Sequence, residues 1–221
     1  MTRHTDSLSV RAALTLLLLV LASTATAQSG PGNEGQTLES PRWTYEIRAG
    51  RYLPDLEAFA TFYGDDNESY YGLAGSYRFT DWLEVGGDLS QMRAKGIGFL
   101  TSSQALGGSV TYELRPVQIY ANFIWQRSQR QRVVPYVGVG IAAATYEQNI
   151  EAQGSSDGTT DVGHAARLGV RFMVGMRKSE TGSSYWRSYL LLEAQRLSIE
   201  VDDFELGGDA YLLGFRMEFD L

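Results

Sequence analysis

From Arg42 onward, apolar side chains recur at every second position in one segment after another. The first segment alternates Trp43, Tyr45, Ile47 and Ala49 with Thr44, Glu46, Arg48 and Gly50. A period of two is typical of a β-strand with one apolar and one polar face, and helical spacing is almost absent. The pattern therefore predicts an all-β fold.

Seven further segments repeat this alternation. They cover roughly residues 71–79, 83–90, 110–126, 134–142, 166–175, 190–195 and 211–221. Long polar links at 54–69, 93–108, 149–160 and 202–209 alternate with shorter ones near 80–82, 127–133 and 178–186. Membrane-spanning barrels have short periplasmic turns and longer outer loops. We therefore predict an eight-stranded antiparallel transmembrane β-barrel.

The count of eight strands depends on residues 110–126. The apolar residues change parity at Arg115-Pro116, so this stretch is either two strands or one long strand with a β-bulge at the proline. Bacterial single-chain barrels have an even number of strands, and only the single strand gives eight. We predict one bulged strand.

The first 27 residues predict a cleavable signal peptide. Arg3 and Arg11 precede an apolar run from Ala12 to Ala22, and Ala25-Thr26-Ala27 is typical of a cleavage site. The alternative is a membrane anchor, but the run is much shorter than the roughly 20 residues of a spanning helix. Residues 28–41 are rich in Gly, Ser and Pro, and they predict a flexible periplasmic tail before a barrel at 42–221.

Composition narrows the classes of function. The 221 residues contain no Cys and carry a formal net charge of −7. The lack of Cys excludes disulfide scaffolds and thiolate metal sites within this sequence. The acidic balance disfavours nucleic acid as a partner, because phosphate-binding surfaces are basic.

Residue size indicates which face points inward. The polar face consists mostly of Gly, Ala, Ser and charged residues, which suit the narrow interior of an eight-stranded barrel. The apolar face would then contact lipid. An aromatic girdle is predicted from four tryptophans near the periplasmic strand ends: Trp43, Trp82, Trp125 and Trp186. The alternative is a soluble exported lipocalin-like barrel.

Charged residues on the inward face are predicted to pair between neighbouring strands, because an unpaired buried charge is costly. The predicted lumen charge network consists of Glu46, Arg48, Arg171, Glu193, Arg216 and Glu218. A second lumen layer, nearer the periplasm, is predicted from Arg78, Glu84 and Asp220. Such an interior would be obstructed and would not form an open pore.

Three segments carry a resemblance to known proteins: the hairpin Arg78–Val85, the strand start Pro135–Gly140 and the closing strand Gly214–Leu221. In this order they resemble the small outer-membrane β-barrel proteins of the OmpA, OmpX and OmpW type. The nearer likeness is to OmpW, in the proline-bearing fourth strand and the Pro-Tyr fifth strand. The resemblance implies the outer membrane of a Gram-negative bacterium and recognition of the last strand by the barrel-assembly machinery. Such chains usually end on an aromatic residue, whereas this one ends on Asp220-Leu221.

The sequence therefore favours a non-enzymatic, porin-like outer-membrane barrel that acts as a narrow channel, a small-ligand carrier or a structural element. The enzymatic alternative is a lipid hydrolase with His164 as base and Ser155 or Ser156 nearby at the outer rim. No metal site and no cofactor are predicted. The expected partners are outer-membrane lipids and lipopolysaccharide, the assembly machinery and a small hydrophobic ligand.

Overall fold

The computed structural model describes residues 41–55, 59, 63, 68–97, 109–151, 154–178, 185–201 and 204–220. The predicted signal peptide (1–27) and residues 28–40 of the predicted tail lie outside this part of the chain. Within the described residues, no helix is long and apolar enough to cross a membrane.

The described residues form eleven β-strands. In chain order these are β1 (Trp43–Pro54), β2 (Glu68–Arg78), β3 (Leu83–Ile97), β4 (Ser109–Ile124), β5 (Val133–Ile150), β6 (Gly154–Thr159), β7 (Gly163–Lys178), β8 (Tyr185–Ser198), β9 (Glu200–Val201), β10 (Phe204–Glu205) and β11 (Gly208–Phe219). Eight of them pair in the order β4-β3-β2-β1-β11-β8-β7-β5, and a β4–β5 pairing closes the barrel. All of these pairings are antiparallel, so the predicted fold class is confirmed.

Side chains alternate between the interior and the outer surface along the barrel strands. On β1, Thr44, Glu46 and Arg48 are buried, whereas Tyr45 and Ile47 are exposed. Large apolar side chains cover the outer surface at mid-height, and we call them the apolar belt: Ile47, Leu73, Leu89, Val117, Ile119, Val139, Ile141, Leu190, Leu192 and Leu213. The face with small and charged residues points inward, as the size of its residues indicates.

The predicted bulge in the fourth strand is wrong. β4 keeps one register with β3 on both sides of Pro116, since Leu114 pairs with Met92 and Val117 pairs with Leu89. Its pairing with β5 also passes through Pro116 without a shift. Pro116 itself takes no part in the β3–β4 pairing, since it has no N–H to donate. The strand is therefore regular.

The change of parity in the sequence has a different cause. Along the whole of β4 the same parity points inward, but its residues change from Val110, Tyr112 and Leu114 to the polar Gln118 and Asn122. The parity of the apolar residues therefore changes because the lining of the interior changes from apolar to polar.

Strand residues extend into the predicted long loops. β5 continues to Ile150 and pairs with β6, so most of the predicted loop at 149–160 is a hairpin. Among the described strands, β6 pairs with β5 alone. β9 and β10 form a second, smaller hairpin that extends into the predicted loop at 202–209. β3 also runs to Ile97, well into the predicted loop at 93–108.

Candidate functional site: the barrel interior

The two ends of the barrel differ. We call the end that holds the short link between β2 and β3 the turn end, and the end that holds the β5–β6 hairpin the hairpin end. The half of the interior toward the turn end contains eleven buried charged side chains among the described residues. They are Glu46, Arg48, Arg78, Glu84, Asp88, Arg167, Arg171, Arg187, Glu193, Arg216 and Glu218.

Glu84 is at the centre of this cluster. It accepts hydrogen bonds from Arg171 Nη2 at 3.0 Å, from Arg216 Nη1 at 3.1 Å and from Asn122 Nδ2 at 3.1 Å. Arg216 also pairs with Glu46 on the neighbouring strand. Glu84 lies on β3, whereas Arg171 and Arg216 lie on β7 and β11, so two of these contacts cross the interior.

A second group lies toward the middle of the barrel. Arg48 Nη1 donates to Glu193 Oε1 at 2.6 Å, and Arg48 also pairs with Asp88. Arg167 lies 3.6 Å from Asp88, and Tyr136 Oη donates to Glu193 Oε2 at 2.6 Å. These contacts join β1, β3, β5, β7 and β8 across the interior.

A third group lies nearest the turn end. Arg78 Nη2 donates to Glu218 Oε1 at 3.1 Å, and Arg187 Nη2 lies 2.8 Å from Glu218 Oε2. Arg216 Nε also donates to Glu218 Oε1, at 3.0 Å. Glu218 therefore connects the group around Glu84 to the arginines nearest the turn end.

The arrangement differs from the predicted one in two respects. Most pairs join strands that are not neighbours, because the interior is narrow enough for opposite walls to touch. Glu84, predicted for a second layer, is instead the centre of the first group, where it pairs with Arg171 and Arg216. Asp220, predicted for the same layer, instead accepts a hydrogen bond from the Arg42 backbone N–H at the strand end.

Sequence reasoning missed three members of the cluster: Asp88, Arg167 and Arg187. Each lies on the inward parity of its strand: Asp88 is four residues from Glu84, Arg167 is four from Arg171, and Arg187 is six from Glu193. Parity was therefore the signal that could have found them.

Aromatic rings pack against two of the interior arginines, and a glycine leaves space for one of them. The Arg167 guanidinium lies 3.7 Å from the Tyr120 ring centroid, and that of Arg171 lies 4.4 Å from the Tyr136 centroid. A Cβ at Gly138 would meet the Asn122 side chain and would lie 2.7 Å from Arg167 Cγ. Gly138 is therefore required by the close approach of Arg167.

The half of the interior toward the hairpin end is apolar. Its buried apolar residues are Tyr52, Phe59, Tyr70, Met92, Ala94, Tyr112, Leu114, Ala142, Ala144, Ala165, Leu197, Ile199, Ala210 and Leu212. Phe59 and Tyr63 come from the link between β1 and β2, and both rings lie within 6.3 Å of the Tyr112 centroid. Tyr52 and Tyr70 stack at 5.4 Å. Side chains therefore also fill this half.

The four tryptophans of the predicted girdle lie at the turn end. Trp43, Trp82, Trp125 and Trp186 point outward, with 44–54% of their surface exposed. Aromatic neighbours accompany them: Trp43 contacts Tyr77, Trp82 stacks on Phe123, and Trp186 lies beside Phe219. They form one outward band below the apolar belt.

The geometry around His164 does not resemble a hydrolase site. Its side chain is exposed on the outward face of β7, and Ser155 and Ser156 are exposed on β6. Within the described residues, no serine or carboxylate is hydrogen-bonded to His164, and no three potential metal ligands cluster.

At the hairpin end, hydrogen bonds from the Ser109 N–H and hydroxyl lower the pKa of Glu151.

Comparisons with known proteins concern the fold. No protein-family model matches the chain. No curated protein matches it in sequence. The crystal structure of the outer membrane protein OprG from Pseudomonas aeruginosa matches with a TM-score of 0.52 and 17% identity, over 84% of this chain and all of OprG. The chain has the fold of the small eight-stranded outer-membrane β-barrels.

Two further solved structures are similar at lower scores. The N-terminal β-barrel domain of Pseudomonas aeruginosa OprF matches at 14% identity and a TM-score of 0.46, over 81% of this chain and 98% of that domain. Neisserial surface protein A matches at 13% identity and a TM-score of 0.46, over 80% of this chain and 95% of that chain.

Proposed function

We propose that this protein is a non-enzymatic barrel of the outer membrane of a Gram-negative bacterium. The apolar belt and the outward tryptophans support this location, because lipid contacts favour apolar side chains and interfaces favour Trp. The fold shared with OprG supports it as well. The turn end faces the periplasm and the hairpin end faces outward, because membrane-spanning barrels have short periplasmic turns and longer outer loops.

Within the membrane, the barrel acts as a closed structural element and does not conduct as an open channel. The observation that carries this proposal is the cross-lumen charge cluster centred on Glu84, Glu193 and Glu218. Its arginines and carboxylates join opposite walls, and the apolar residues of the other half lie on top of them. Opening a path would separate buried ion pairs, which is costly.

A second candidate function is the transport or binding of a small hydrophobic molecule. The apolar lining of the half toward the hairpin end favours it, because a molecule that displaced Phe59 or Tyr63 would meet mostly aromatic and aliphatic side chains. Native mass spectrometry of the refolded protein with an added monoterpene would detect one bound molecule. Leu114→Trp should fill the site and abolish binding, whereas Leu213→Trp on the outer surface should not. Absence of binding by the wild type would contradict this candidate.

The lipid hydrolase receives no support, because His164 has neither a nucleophile nor an orienting acid in the geometry that such catalysis needs. Recognition of β11 by the assembly machinery remains a proposal from the resemblance. Lipid composition of cells that express wild type or His164→Ala should be the same.

Cell fractionation tests the location. The mature protein should appear in the outer-membrane fraction and should migrate differently on gels before and after boiling, since a closed barrel resists detergent. Recovery in the soluble periplasmic fraction without detergent would contradict the proposal.

A further inference from the structure

The buried charges of the barrel interior do not balance. The eleven charged side chains in the interior are six arginines and five carboxylates, so the described interior carries one surplus positive charge. An arginine stays protonated at any physiological pH and cannot neutralise itself. Because a buried charge without a partner is costly, one negative charge from outside the chain would stabilise this interior.

The middle of the barrel is neutral. Arg48 and Arg167 lie there against Asp88 and Glu193, so two cations face two carboxylates. The other four arginines and three carboxylates belong to the groups around Glu84 and Glu218. The surplus charge therefore lies in the part of the interior toward the turn end.

The ion pairs locate the surplus more closely. Arg171 pairs with Glu84 alone among the described carboxylates, at 3.0 Å. Arg216 contacts Glu84 and Glu218, and it is also the arginine that pairs closely with Glu46. Once Glu84 neutralises Arg171 and Glu46 neutralises Arg216, only Glu218 is left for the other two arginines of this half.

Those two arginines, Arg78 and Arg187, hold Glu218 between them. Their Nη2 atoms lie 3.1 Å and 2.8 Å from its two oxygens. Their Nη1 atoms donate to side-chain oxygens of the link between β4 and β5, at 2.8 Å to Gln126 and 2.5 Å to Gln129. The Nε–H of each guanidinium has no hydrogen-bond partner among the residues that the structure describes. Each arginine thus keeps one donor for another acceptor.

A hydroxyl group adds a third donor. Tyr189 is 1% exposed, and it lies one inward position beyond Arg187 on β8. Its side chain interacts electrostatically with Glu218, Arg187 and Arg78. Within the described part of the chain its Oη has no hydrogen-bond partner either. Surplus positive charge and buried donors occur together here, and an anion would satisfy both.

We propose that the barrel interior at the turn end binds one small monovalent anion, between Arg78, Arg187 and Tyr189. A single negative charge matches the single surplus cation. A halide or a carboxylate of the size of formate suits the narrow interior and accepts charge-assisted hydrogen bonds from the free N–H groups. The inference does not depend on which compartment the turn end faces.

Anomalous diffraction tests the site directly, in crystals of the refolded mature protein grown with sodium bromide. Bromide scatters anomalously and takes the place of a smaller halide. We expect one anomalous peak inside the barrel, within hydrogen-bond distance of Arg78 Nε, Arg187 Nε or Tyr189 Oη. Peaks at exposed arginines alone, such as Arg127 and Arg130, would indicate an adventitious ion only and would overturn the proposal.

Urea unfolding of the protein refolded in lipid vesicles measures the affinity. Replacing gluconate, which is too large for the site, by chloride or formate at constant ionic strength should raise the urea midpoint, because a ligand of the folded state stabilises it. Arg187→Gln removes the surplus charge and should weaken the apparent affinity about tenfold, as expected for the loss of a charge-assisted hydrogen bond. The matched control Arg130→Gln removes an exposed arginine and should respond as wild type does.

The two anions distinguish the class of ligand. A response of wild type to chloride alone assigns the site to a halide, and a response to formate alone assigns it to a small carboxylate. A response to neither, or an equal response of wild type and Arg187→Gln, would overturn the proposal.

Glu218→Gln separates anion binding from a purely structural role of these residues. It raises the surplus to two charges, so the response of the urea midpoint to the anion should increase although the barrel itself is less stable. A purely structural role predicts lower stability in Glu218→Gln and in Arg187→Gln with the same response to the anion in both, which would contradict the proposal. If neither variant folds, the bromide peak in the wild type still decides.

Discussion

At the scale of single residues, Glu84 is the carboxylate on which the cross-lumen contacts converge. Replacing it by Gln would leave Arg171 without its charge partner and would remove one of the three carboxylates that pair with Arg216. We expect Glu84→Gln to lower the free energy of unfolding by about 3–5 kcal/mol, the usual cost of breaking a buried ion pair. Urea titration of the protein refolded in lipid vesicles measures this.

A matched control is available in Asp209→Asn. Asp209 pairs with Arg196 at 3.4 Å, but both side chains are at least 40% exposed. The change should cost less than about 1 kcal/mol, as exposed pairs do. If both variants lost the same free energy of unfolding, the interior would be hydrated and its ion pairs would not stabilise the barrel.

Gly138 gives a second prediction at this scale. Gly138→Ala places a methyl group against Asn122 and Arg167, and we expect a loss of about 1–3 kcal/mol from overpacking. The control is Gly87→Ala, where the added Cβ would have its nearest neighbour at 3.6 Å. That change should be neutral in the same urea titration. A neutral Gly138→Ala would mean that Arg167 does not approach β5 as described.

The sequence identified most of the inward charged residues, because parity decides the face of a strand, and Asp88, Arg167 and Arg187, which it did not single out, obey the same parity. It could not identify their partners. Arg171 meets Glu84 only because the barrel is narrow and β3 lies opposite β7, and both facts belong to the closed structure.

At the scale of elements, β4 shows where sequence reasoning failed and why. The parity argument assumes that each face keeps one polarity along the whole strand. In β4 the inward face is apolar at Tyr112 and Leu114 and polar at Gln118, so the pattern imitates a bulge at Pro116. A genuine register shift occurs instead in β7, between Met173 and Gly175.

The β5–β6 hairpin gives the prediction at this scale. Backbone amides of residues 145–150 take part in strand pairing, although part of this segment was predicted to be a loop. Their hydrogen exchange, followed by NMR in detergent, should be much slower than that of the turn residues 128–130, because paired amides exchange only after local opening. Exchange at the same rate as in the turn would contradict the hairpin.

At the scale of the whole molecule, the proposed orientation can be tested by labelling, because the sequence has no Cys. Ser156 is exposed at the hairpin end and Ser128 is exposed at the turn end. A membrane-impermeant maleimide should label Ser156→Cys on intact cells and Ser128→Cys only after the outer membrane is permeabilised. The reverse pattern would invert the orientation.

The closed lumen is the central claim, and ion conductance of the refolded protein in planar lipid bilayers tests it most directly. We expect wild type to insert without a steady open-channel current, since ion pairs join opposite walls of a narrow interior. Glu193→Ala, which removes one partner of Arg48 and the acceptor of the Tyr136 hydroxyl, should produce measurable openings. A large and stable wild-type current that Glu193→Ala leaves unchanged would contradict the claim.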